Sequence, residues 1–196
     1  MSKGEETRAA ILADALSQAS VLGLDGLTIG ALASSLGMSK SGLYAHFGSK
    51  EDLQIQVLEE ARARFVSAVM TPALRAPRGE PRVRAIMERW LEWESSAYLP
   101  GGCPFVAAAA ELDDQPGAVR DRLVSIQRDW TDALRTAARI AVEEGHFRAD
   151  LDTGQWAFEL WGLALSYHWF SRLLGQGDAD DRLKAGFERL IQSARA

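Results

Sequence analysis

Apolar residues recur three and four positions apart along nearly the whole chain, and no stretch alternates in the two-residue rhythm of a strand. Ile11, Leu12, Ala15, Leu16 and Ala19 predict a first helix over 5–22, with Glu5 and Glu6 at its positive end and Gly23 as its stop. Leu53, Val57, Leu58, Ala61, Phe65 and Val69 predict a longer helix over 50–70. Pro72, Pro77, Gly79 and Pro81 then read as a linker. Beyond it the spacing predicts helices over 82–98, 105–112, 118–144, 153–174 and 179–194, separated by Pro and Gly clusters. The 153–174 helix is apolar nearly all round, so both its faces need cover. A core on one side and a second subunit on the other would supply it. The amphipathic seam Leu183, Phe187, Leu190 and Ile191 suits the same interface. The predicted fold class is all-α, with no internal repeat.

The stretch between residues 28 and 53, TIGALASSLGMSKSGLYAHFGSKEDL, has a tighter rhythm. Thr28, Ser39 and Ser49 are placed as N-caps of three successive helices, with Asp52 completing a capping-box pattern after Ser49. Gly37 falls where a tight turn needs a left-handed residue. Small Ala33, turn Gly37 and core Leu43 have the spacing of a helix-turn-helix, whose second helix would run over 39–47. Its outer side carries Lys40, Ser41, Tyr44 and His46, with Gly42 allowing close backbone approach and Lys50 opening the next helix. With the cap residues Thr28 and Ser39, these suit phosphate and base-edge contacts. A small capped subdomain with a solvated polar face is the competing reading.

Composition narrows the classes. At 196 residues, 47% hydrophobic and 25% charged, the chain can form a large core, as a small head and a larger body. The net charge of −5 does not advertise nucleic-acid binding. The head balances Lys3, Arg8, Lys40 and Lys50 against Glu5, Glu6, Asp14 and Asp25, so its cations must be gathered on one side. A single cysteine, Cys103, excludes an internal disulfide and fits a reducing cytoplasm. No secretory signal is visible, and the apolar run 156–170 is too short to span a membrane. His46, His146 and His168 are scattered without metal-ligand spacing, and no phosphate-cradling glycine motif or nucleophile elbow occurs. Neither a metal, a cofactor nor an enzyme activity is expected.

The segment GMSKSGLYAHFGSKEDL resembles the signature of the TetR family of bacterial one-component transcriptional regulators. Turn, Tyr-x-His-Phe and Ser-Lys-Glu elements coincide in one register, covering about the first quarter of the chain; the rest resembles the family in its helical layout. Ala45 stands where many relatives carry a bulkier or polar residue, and Gly30 costs about 1 kcal/mol relative to Ala inside a helix. The resemblance implies a DNA-binding domain over 1–50 and an effector-binding and dimerisation domain over 51–196. It implies a homodimer on palindromic double-stranded operator DNA, released by a small apolar or aromatic effector.

All six tryptophans lie in the body. By the resemblance, an effector would sit between the body helices, lined by Trp90, Tyr98, Phe105, Trp130, Phe158 and Trp161, with Tyr167 and His168 as polar contacts. Trp90 and Trp93 lie on different faces of one helix, so at most one looks into such a pocket. Core and dimer interface remain the plainer explanation for any single tryptophan. Cys103 reads as a small packing residue or, alternatively, a thiol sensor at a helix start. A regulator without an effector, or a helical enzyme or lipophile carrier, are the competing functions.

Overall fold

The computed structural model describes residues 2–196, and they are all-α: Lys3–Leu22 (α1), Ile29–Ser35 (α2), Lys40–Tyr44 (α3), Lys50–Phe65 (α4), Thr71–Ala73 (α5), Glu80–Glu94 (α6), Pro104–Leu112 (α7), Ala118–Glu143 (α8), Thr153–His168 (α9) and Ala179–Ala194 (α10). Single π-helical turns follow α4 (Val66–Met70) and α9 (Trp169–Leu173). An isolated bridge between Phe147 and Arg195 is the β-pairing present among the described residues.

The chain divides into two compact units. One comprises residues 1–65 and 95–126, the other residues 66–94 and 127–196. The first is thus larger than the expected head, because the segment 95–112 folds back on α1. Gly101 N–H donates to Ser20 Oγ (3.0 Å), and Leu99 and Cys103 are both buried. A Cβ on Gly101 would fall 1.5 Å from the Ser20 carbonyl oxygen, so only glycine permits this approach. In the same unit Phe65 meets Phe105 edge-on (6.1 Å), and Arg122 of α8 pairs with Glu59 of α4.

Several element ends differ from the sequence expectation, each for a local reason. Helix α1 starts at Lys3 because Ser2 and Glu5 form a reciprocal capping box, with Glu5 N–H donating to Ser2 Oγ and Ser2 N–H to Glu5. Pro72 does not terminate the helical path after residue 70: it occupies the first turn of α5, where its missing N–H has no partner to lose. Helix α6 begins two residues early, at Glu80, and stops at Glu94 instead of 98. His146 accounts for its start, since Nδ1 accepts the Glu80 N–H (3.2 Å). Gly79, at φ 87°, leaves the room: a Cβ there would lie 2.0 Å from that nitrogen.

In the second unit α10 lays its seam, Leu183, Phe187, Leu190 and Ile191, into the core, and packs on α9 with Gly186 beneath Leu163. Glu80, Arg84, Glu188 and Arg195 form an ion-pair chain joining α6 to α10. The Arg195 hydrogen bond, then Arg84, hold the Glu80 carboxyl down to about 2 against the opposing effect of burial.

Candidate nucleic-acid interface and the aromatic cavity

In the first unit the short helices are assembled by their caps. Thr28 Oγ1 accepts the Ala31 N–H (3.1 Å), and Ser39 Oγ accepts the Gly42 N–H (3.0 Å) while lying 3.1 Å from Ser41 Oγ. Ser49 Oγ accepts the Asp52 N–H (3.0 Å), but the Asp52 carboxylate reaches Gly48 N–H instead of the cap's own, so only half of the expected capping box forms. Gly37 adopts φ 62°, as the turn requires, and Met38 N–H closes onto the Ala33 carbonyl (2.8 Å). Ala33 and Leu43 are buried where α2 and α3 cross. Thr28, Ser39, Lys40, Ser41, Tyr44 and Lys50 are all exposed, with Gly42 and His46 half-buried beside them. The eight residues singled out from the sequence are thus each exposed or half-buried along α2, α3 and the start of α4.

Four features were not legible beforehand. Helix α3 ends at Tyr44, three residues short of the expected 47, because the chain tightens there and His46 N–H turns to the Leu43 carbonyl (3.0 Å). Arg8 of α1 seals that end: its Nη1 donates to the His46 carbonyl (2.6 Å) while its guanidinium stacks over Phe47 (4.8 Å). The partners are 38 residues apart, and no local pattern announces the contact. Gly30, unfavourable within α2, carries the stem of Lys40 across its bare backbone; a Cβ there would lie 3.2 Å from Lys40 Cε. Lys50 is less available than expected, since its Nζ donates to the Asp25 carbonyl (2.6 Å). Lys40 has no ion-pair partner among the described residues.

In the second unit Trp90, Trp161 and Trp130 pack edge-to-face in sequence, with centroids 6.0 and 5.9 Å apart. With Met87, Leu160 and Ala164 they enclose an apolar void of about 10 Å³, room for one water molecule. Trp90 is 1% exposed, and its indole N–H finds no acceptor among the described residues. Trp93 is equally buried but does not line the void. Tyr167 packs edge-on against Trp90 (6.0 Å) and donates its hydroxyl to Asp180 (2.9 Å); burial, and next the Asp180 carboxylate, push that hydroxyl well above its ordinary range. His168 Nδ1 lies 2.6 Å from the buried carboxylate of Glu94.

Three residues expected in the lining are elsewhere. Phe158 is 74% exposed, on the side of α9 opposite Leu160 and Tyr167. Tyr98 and Phe105 belong to the other compact unit, Tyr98 beneath the Arg64 guanidinium and Phe105 against Phe65. Beside Phe158, α9 and its π-turn expose Leu165, Trp169, Phe170 and Leu173. A cleft of about 120 Å³ opens between α9 and α10 among Leu163, Ser166, Tyr167, Phe170 and Leu183. Cys103 is buried at the start of α7. Among the described residues no cluster of His, Cys, Asp or Glu could hold a metal, and no helix is long and apolar enough to cross a membrane.

A helix-turn-helix with a free polar face, carried on a larger helical body, defines a DNA-binding regulator. Residues 11–57 match the family model for bacterial regulatory proteins of the tetR family, and residues 79–187 the tetracyclin repressor-like C-terminal domain. The chain belongs to the TetR family of DNA-binding transcriptional regulators, which is not a family of enzymes. It is similar over 98% of its length to 96% of a TetR transcriptional regulator from Chloroflexus aurantiacus J-10-FL (25% identity, TM-score 0.82). A TetR-family regulator from Cytophaga hutchinsonii shares the fold over all of this chain and 98% of its own (23%, 0.84). So does AibR, solved with isovaleryl coenzyme A and operator DNA, over 95% of this chain and 99% of its own (21%, 0.76). No curated protein matches the chain.

Proposed function

We propose that the protein is a homodimeric repressor acting in the cytoplasm, released from a palindromic operator when a small apolar effector enters among α6, α8 and α9. The observation that carries the effector reading is the Trp90–Trp161–Trp130 enclosure, an apolar site into which the Trp90 indole brings an N–H with no acceptor among the described residues. Tyr167 and His168 are the neighbouring polar groups. With a void of about 10 Å³, an effector has to part these helices, and that displacement is the signal it sends. AibR, of the same fold, has been solved with an acyl-coenzyme A ligand and operator DNA together, which supports a double role here. The exposed apolar face of α9 supports dimerisation, because a monomer would leave that surface in water. Operator contact falls to Thr28, Ser39, Lys40, Ser41, Gly42, Tyr44, His46 and Lys50. In this division residues 1–50 bind DNA and residues 51–196 bind the effector and the second subunit.

Selection from random duplexes with the purified protein is expected to return an inverted repeat. Titration calorimetry of apolar compounds, with and without that duplex, then tests the coupling: operator must weaken the effector by the factor by which effector weakens operator, typically about 5- to 150-fold. Compounds that bind equally in both titrations would overturn the effector reading. The small size of the void favours a second reading, a regulator without effector, for which no compound would bind the body at all.

A further inference from the structure

The turn joining α1 to α2 is held in an unusual way. A surface turn ordinarily leaves its N–H groups to water. Here the adjacent N–H groups of Leu24 and Asp25 both donate to one carboxylate, that of Glu111 in the last turn of α7, at 2.7 Å to Oε2 and 2.6 Å to Oε1. Gly23, at φ 75°, makes the approach possible, since a Cβ there would stand 2.8 Å from Glu111 Oε1. The opposite side of the same two residues is gripped from α4. Lys50 Nζ donates to the Asp25 carbonyl (2.6 Å), and the buried Gln54 amide donates to the Leu24 carbonyl (2.9 Å) and to Asp25 Oδ1 (3.1 Å). Three residues further on, Thr28 caps α2 and the helix-turn-helix begins.

We propose that Glu111 is a positioning residue for operator binding: its carboxylate fixes the α1–α2 turn and thereby the orientation in which α2 and α3 are presented to DNA. The turn is where a change of angle between α1 and the helix-turn-helix would be absorbed. Clasped on its N–H side by α7 and on its carbonyl side by α4, it cannot absorb one without breaking charge-assisted hydrogen bonds. The Ser20–Gly101 bond pins the preceding segment to the same α1 end. Both α7 and α4 therefore set the position of the reading head. Glu111 itself touches no DNA.

The test compares the parent with Glu111→Gln and Glu111→Ala, using as probe a duplex recovered from a random pool by the parent protein. Binding is followed by fluorescence anisotropy over a range of KCl, with amide exchange and far-UV circular dichroism on the same samples. Affinity is expected to fall in the order parent, Gln, Ala, by about tenfold for Ala, as two hydrogen bonds to a charged group are lost. The salt slope stays at the parent value, because no cation facing phosphate is removed. Exchange quickens at Leu24 and Asp25 while helical content holds. Parent-like affinity in Glu111→Ala, despite quickened exchange at the turn, would overturn the proposal. So would a loss that merely tracks the unfolded fraction. Should the Ala variant not fold, Glu111→Gln decides alone: it keeps one acceptor oxygen, and undiminished affinity in it overturns the proposal.

Discussion

Helix α3 has five residues and buries one side chain along its length, Leu43; α9 has sixteen and buries Trp156, Ala157, Leu160, Ala164 and Tyr167. A five-residue helix has no stability of its own in water. It exists because Ser39 caps its start, Arg8 seals its end, and Leu43 and Phe47 anchor it to the core. Its outer side chains contribute little to the fold and are free to meet a ligand. Helix α9 is in the reverse position. It is apolar on both sides, and the inner side packs into the core while the outer side, with Phe158, Leu165 and Trp169, is exposed; the proposed subunit contact would cover it. Where folding demands little of a surface, function is read from its chemistry; where apolar surface exceeds what folding uses, function is read from the excess.

Substitutions can break this contrast. The largest effect is expected for Trp90→Ala, which empties the centre of the aromatic cluster and should destabilise the fold by about 3–5 kcal/mol in urea unfolding. Phe158→Asp, on the outer side of α9, should leave the far-UV spectrum unchanged. Sedimentation should show its dimer dissociation constant raised roughly 30-fold or more, as for a central interface aromatic. A parent-like dimer would mean that the outer face of α9 is not the subunit contact. In the head, Lys40→Ala should change stability by no more than about 0.5 kcal/mol while reducing the salt slope of operator binding by about 1. If the slope held, the exposed cation of α3 would not face phosphate.

The smallest effect sharpens the contrast from the structural side. Glu80 is held at about 2 in the folded chain against an ordinary 4.5, chiefly by Arg195 and then Arg84. The stability that its ionised form contributes is therefore present in full above pH 4.5 and is lost as pH falls towards 2. Glu80→Gln should flatten that part of the pH profile in urea unfolding, by less than about 1 kcal/mol for ion pairs near the surface. Operator binding at neutral pH should be unaffected.

The amino-acid sequence by itself determined what depends on neighbours within about four residues. The caps Thr28 and Ser39, the left-handed Gly37, the extent of α7, α8 and α10, and the TetR signature were all legible, because helix caps, turns and periodicity are local physics. Only the tertiary structure decided which apolar residues turn inward and which polar groups meet at a distance. Periodicity marked Phe158 and Trp161 alike as apolar on α9, yet packing against α6, α8 and α10 leaves one in water and draws the other into the tryptophan cluster. Helix propensity carried α6 to Tyr98, but the buried approach of Gly101 to Ser20 diverts the chain after Glu94. Lys50 read as a free cation until the Asp25 carbonyl came within reach across 25 residues. Glu111 was one acidic residue at the end of a short helix, and the turn it clasps lies 86 and 87 residues away in the chain. A carboxylate's choice between water and two backbone N–H groups is made by the meeting of surfaces, and that meeting is written in no local pattern.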